Sequence, residues 1–157
     1  HGNPVSAMGY FGKTTPEEKA RLDRCGTGVM LVHEIIWGYS PSWRAIDAKL
    51  RDWGYRRDPS VRVWNDFDED VAFPVALAGE RAYALAMTHP VRKAGLVVVC
   101  DWADGGTVEV RPDFAAMGLA ADVKAFDFET GAELPFRDGA VSVSLKKHDF
   151  AIIEFRR

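Results

Sequence analysis

His33 and Glu34 stand side by side near the end of the most apolar stretch in the front of the chain, Gly-Val-Met-Leu-Val-His-Glu-Ile-Ile-Trp over 28–37. A carboxylate beside an apolar run can serve as a general acid or base, or accept hydrogen bonds from a hydroxyl-bearing ligand. An imidazole next to it can hold a hydroxyl or a phosphate. Trp37 and Tyr39 follow closely, and Trp43 soon after. Flat rings of this kind suit the C–H faces of sugar rings, although Trp43 fits interlayer packing better. Glu34 is therefore the candidate catalytic residue, and His33, Trp37 and Tyr39 are the candidate substrate contacts. On a strand, adjacent residues point to opposite faces, so at most one of His33 and Glu34 would face a cavity.

The other chemistry-bearing residues form no comparable group. The acidic run Asn65-Asp66-Phe67-Asp68-Glu69-Asp70 lacks the mid-loop glycine and distal glutamate of a calcium loop, and reads as a solvated turn. Cys25-Gly26-Thr27-Gly28 precedes the apolar run instead of following it, which is the wrong side for a phosphate cradle. Ser6, Ser40, Ser42 and Ser60 lack a nucleophile-elbow context, and His89 and His148 fall in separate turns. Cys25 and Cys100 have no metal spacing. They read as unpaired thiols, Cys100 being a small core residue of Leu96-Val97-Val98-Val99-Cys100, with a disulfide as the alternative. No metal or cofactor is expected.

Charge excludes some partners. The net charge is −3. Through Ser60 there are 9 Lys and Arg against 7 Asp and Glu, and beyond it 11 against 16. Neither part is basic enough for a nucleic-acid surface. No apolar run approaches the ~20 residues that cross a bilayer, so no membrane span is expected. The chain opens on His1 and shows no signal peptide.

The elements that position these residues follow from local signals. Residues 1–13 read as a loop. Thr15-Pro16-Glu17-Glu18 combines a cap, a first-turn proline and a capping-box glutamate, predicting a helix that ends near Cys25 with Gly26 as its stop. The run 28–37 does not alternate polar with apolar, which predicts a strand covered on both faces, as in a parallel sheet. Ser40-Pro41 opens a second helix, with Trp43, Ile46, Leu50 and Trp53 on one stripe and Gly54 at its end. From Tyr55 the pattern changes. Strands are predicted at 61–67, 72–77, 81–88, 95–102, 107–111, 122–128, 140–145 and 149–155, with turns at Asp104-Gly105-Gly106, Thr130-Gly131 and Asp138-Gly139 and one helical turn at 114–117. The expected fold is an α/β segment over 1–57 followed by an antiparallel β-sandwich over 58–157.

The segment 82–155 resembles the C-terminal β-sandwich that follows the (β/α)-barrel in many multidomain glycoside hydrolases. The likeness rests on Ala82-Tyr83-Ala84-Leu85-Ala86, Gly95-Leu96-Val97-Val98-Val99-Cys100-Asp101-Trp102, Ala125-Phe126-Asp127-Phe128-Glu129-Thr130-Gly131 and Val143-Ser144-Leu145-Lys146-Lys147-His148-Asp149-Phe150. It implies that residues 1–57 are the final strand–helix units of a (β/α)8-type barrel, with 28–43 lining a sugar cleft. It also implies that the partners are a carbohydrate and the remainder of a catalytic barrel, and it leans towards an extracytoplasmic setting. Glycoside hydrolysis usually needs two carboxylates. Only Glu34 lies at a plausible strand end here, so this chain alone is expected to be inactive. The alternative is a carbohydrate-binding sandwich with Trp64, Tyr83 or Trp102 as platforms. A third reading, a small self-contained enzyme using His33 and Glu34, requires both in one pocket.

Overall fold

The computed structural model describes residues 15–36 and 40–157. The expected loop over 1–13, together with Trp37 and Tyr39, lies outside the described residues. Two helices, α1 (Pro16–Val32) and α2 (Pro41–Trp53), precede ten strands. The strands are β1 (Arg62–Asn65), β2 (Val75–Ala78), β3 (Ala82–His89), β4 (Ala94–Asp101), β5 (Gly105–Pro112), β6 (Lys124–Asp127), β7 (Glu133–Leu134), β8 (Phe136–Arg137), β9 (Ala140–Lys146) and β10 (Phe150–Arg156). A short helix, α3 (Phe114–Met117), sits between β5 and β6. One sheet runs β1-β3-β4-β10-β6-β7 and the other β2-β5-β9-β8. Every pairing is antiparallel.

The two sheets enclose one core, and the helices cover the other face of the larger sheet. Strand alternation sorts the side chains. Leu85, Met87, Leu96, Val98, Cys100, Phe150 and Ile152 face the helices. Ala84, Ala86, Val97, Val99, Ile153 and Phe155 face the smaller sheet. Both faces of β4 are therefore covered and all its residues are buried, which explains its unbroken apolar run. Two of the three turn signals fold as hairpins: Thr130-Gly131 lies between the paired β6 and β7, and Asp138 (φ 50°) and Gly139 (φ 75°) make the tight two-residue link between β8 and β9. Gly105 and Gly106 instead begin β5, after the chain crosses from one sheet to the other.

Where a strand was expected over 28–37, residues 28–32 are the end of a helix instead and 33–36 leave it in a turn. α1 does not stop at Gly26 but continues through Val32. Three contacts decide this. Thr27 Oγ1 donates to the Asp23 carbonyl one turn back and lies 3.2 Å from Ser40 Oγ at the start of α2. Gly28 lies against β4 and β10, where a Cβ would stand 3.0 Å from Phe150 Cβ and 3.2 Å from Cys100 Sγ. Leu31 and Val32 then bury completely in the helix–sheet core. With that strand gone, the expected barrel unit has no strand among the described residues. The helices instead share a core with the sandwich sheet.

Polar contacts complete the seating of α1. The Arg24 guanidinium grips both oxygens of Glu129 at 3.0 and 2.8 Å, and it donates to Asp149 and to the Phe150 carbonyl. It also lies 4.2 Å over the Phe150 ring. Such a forked, partly buried pairing fixes orientation as well as adding energy. No helix among the described residues is long and apolar enough to cross a membrane.

Candidate functional site

The end of α1 carries the two central candidates, and its geometry separates them. His33 caps the helix. Glu34 follows with φ 56°, its N–H bonded to the Leu31 carbonyl, and the Ile35 N–H reaches back to the Met30 carbonyl. These paired bonds define a Schellman motif, in which the left-handed position usually belongs to glycine. Glu34 fills it. The bend turns His33 inward and leaves Glu34 exposed. The depression that Glu34 lines with Tyr55 and Asp58 does not include His33. The Arg56 guanidinium donates to the Glu34 carbonyl, joining this bend to the segment after α2.

His33 begins an aromatic cluster. Its ring stacks on Phe67 at 4.5 Å, Phe67 stacks on Tyr83 at 5.0 Å, and Trp102 meets Tyr83 edge-on at 5.3 Å and His33 at 5.9 Å. Both faces of Phe67 are thus covered by rings, which leaves its edge, not a platform, for a ligand. Tyr83 and Trp102 lie 66° apart and are half-buried, so they do not form a flat surface for a sugar. Trp64 is half-buried against the core between the sheets.

Beside Trp102 lies a cleft of about 220 Å³ between α1 and the ends of β3 and β4, lined by Cys25, Val29, Arg81, Cys100, Asp101, Trp102 and His148. Asp101 is only 3% exposed, and its Oδ2 accepts from the Gly105 and His148 N–H groups at 3.1 and 3.4 Å. Its role is to hold two turns together. Arg81 (φ 51°) and His148 (φ 55°) occupy left-handed turn positions at the rim. The Arg81 guanidinium has no ion-pair or hydrogen-bond partner among the described residues. Trp102 Nε1 is buried with no bond of ordinary geometry. Its N–H nevertheless favours the Cys100 thiolate, against the burial that pushes that thiol up to about 12.

A second, shallower depression includes Glu34, Tyr55, Asp58 and Val63. Asp58 is its other carboxylate. Hydrogen bonds from the Ser60 hydroxyl and N–H, together with the nearby His89, hold it below the usual carboxylate range. Those two Ser60 bonds make Asp58 the anchor of its turn. Among the described residues no group of three His, Cys, Asp or Glu is placed to hold a metal ion. Local pattern gave Phe67 and Arg81 only as the ends of predicted strands and His148 only as a turn residue, none of them as part of a site.

No protein-family model matches the chain, and no curated protein matches it. Several solved structures are similar in part. A family 27 β-L-arabinopyranosidase from Geobacillus stearothermophilus matches 50% of this chain and 18% of its own, at 12% identity and a TM-score of 0.42. A putative α-N-acetylgalactosaminidase from Bacillus halodurans C-125 matches 50% of this chain and 19% of its own, at 17% identity and 0.42. A maltogenic α-amylase from Thermotoga neapolitana matches 78% of this chain and 27% of its own, at 11% identity and 0.43. All three are glycoside hydrolases, and this chain spans well under a third of the length of each.

Proposed function

We propose that this chain is an accessory β-sandwich module of a larger carbohydrate-active protein, without catalysis of its own, and that it docks on that protein's catalytic domain. The observation that carries this is an apolar edge. Ile35 is 50% exposed, Ile36 62%, Val63 36%, Phe67 43% and Val71 48%. The His33–Phe67 stack and the depression shared by Glu34 and Val63 bring the end of α1 together with β1, the outermost strand of the larger sheet. Exposed large apolar side chains near a sheet edge that is unpaired among the described residues are what an interface exposes when its partner is absent. The resemblance of segment 82–155 to sandwiches that follow catalytic barrels supports the same partner. Glu34 lies exposed at a helix end, and the other carboxylate of its depression, Asp58, is engaged by the Ser60 hydroxyl and N–H.

The test is hydrolysis of a panel of aryl glycosides by this chain. No turnover is expected. Turnover that Glu34→Gln abolishes would overturn the reading. In the longer protein, Ile36→Asp should lower the melting temperature, while the same change in this chain alone should leave it nearly unmoved. A second reading, glycan binding by this chain itself, draws on the unpaired Arg81 guanidinium beside Trp102 in the α1 cleft. Retardation on polysaccharide gels that Arg81→Ala removes would favour it.

A further inference from the structure

We propose that Cys25 and Cys100 form a cross-linking pair, which a small-molecule disulfide oxidises to a bond between α1 and β4. Both thiols are free in this structure, and both line the same cleft. Cys25 precedes Gly28 by three positions, so the two residues share one face of α1. At Gly28 that face comes so close to β4 that an added Cβ would stand 3.2 Å from Cys100 Sγ. The missing side chain lets the helix approach, and the forked Arg24 contacts to Glu129 and Asp149 hold it there. Cys25 is half-buried at the cleft, whereas Cys100 is 1% exposed beneath it. One thiol can therefore meet a reagent and the other only its neighbour.

The order of steps follows. The Cys25 thiolate attacks one sulfur of oxidised glutathione; that S–S bond breaks, and one glutathione thiolate leaves and takes up a proton. The Cys100 thiolate then attacks the Cys25 sulfur of the mixed disulfide and releases the second glutathione. The protein pair loses two hydrogens and two electrons, and the oxidant becomes two reduced glutathione molecules. Burial raises both thiols, which makes the exchange slow at neutral pH and faster as pH rises. The Trp102 indole N–H, otherwise unpartnered, stabilises the buried thiolate in the second step.

The experiment treats the full chain with oxidised glutathione in mildly alkaline buffer and reads intact mass and a non-reducing peptide map. The expected product has lost two hydrogens, links the Cys25 and Cys100 peptides within one molecule, and melts at a higher temperature than the reduced chain. Cys100→Ala should stop at the glutathione adduct on Cys25, and Cys25→Ser should not react. A lasting glutathione adduct on Cys25 in the unmutated chain, a dimer linked between molecules, or two thiols still free would each overturn the proposal.

Discussion

Helices α1 and α2 lie on the same face of the larger sheet, yet different means hold them there. α2 buries Trp43, Ile46, Leu50 and Trp53 along one stripe, and Trp53 Nε1 donates to Glu154 at 3.1 Å. It begins at the Ser40 cap and ends on Gly54 in a left-handed turn (φ 125°). α1 buries only two large apolar residues, Leu31 and Val32, both in its last turn. Its other attachments include the Arg24 fork, the Thr27–Ser40 contact and the bare backbone at Gly28, and its left-handed end falls on Glu34. The difference teaches that a helix can be seated by closeness and polar anchors where apolar area is scarce. Such a seat depends on shape at single positions.

Leu50→Ala gives the largest expected effect, because it removes a fully buried side chain from the α2 stripe. A loss of about 2–5 kcal/mol is expected from burial plus the cavity left behind. Urea unfolding measures it, and a loss below about 1 kcal/mol would mean that α2 is not held by its stripe. Gly28→Leu attacks the other means. Its side chain has to enter space held by Phe150 and Cys100, and a loss of about 1–3 kcal/mol is expected. Gly28→Ala sharpens the point, since the squeeze against Phe150 Cβ offsets a helix-propensity gain of about 1 kcal/mol. If Leu were tolerated as well as Ala, α1 would not lie where this account puts it.

The same contrast decides what could be read from the chain. The α2 stripe, both helix starts, eight of the strands and the turn at α3 were legible, since each depends on neighbours in sequence. The rule that an unbroken apolar run marks a strand covered on both faces holds for β4. Applied to 28–37 it failed. A short apolar run fits a buried strand and a helix end equally well, and what decides between them is a contact with Phe150, far along the chain. Gly26 looked like a stop because the Thr27 bonds to Asp23 and Ser40 cannot be seen locally. The site divides in the same way. His33 and Glu34 stood out by type, but the stacking of His33 on Phe67 and the meeting of Cys25 with Cys100 in one cleft are made by the fold alone.

The smallest expected effect concerns the two helix ends. A residue with a Cβ is disfavoured in the left-handed region by about 1–2 kcal/mol, whereas glycine is not. Glu34 bears that cost at φ 56°, while Gly54 avoids it at the end of α2. The bonds that close α1 run from backbone N–H groups to backbone carbonyls, and the Arg56 contact also ends on the Glu34 carbonyl, so none needs the carboxylate. Glu34→Gly should therefore keep every one of them and relieve the strain. Part of the gain is returned, because glycine gives the unfolded chain more freedom. The net expectation is a stabilisation of about 0.5–1 kcal/mol, read as a raised urea midpoint at unchanged slope. A lowered midpoint would mean that the Glu34 side chain holds something in the folded chain. Glu34 would then be more than a helix end that happens to be acidic, and the case for a working carboxylate there would gain.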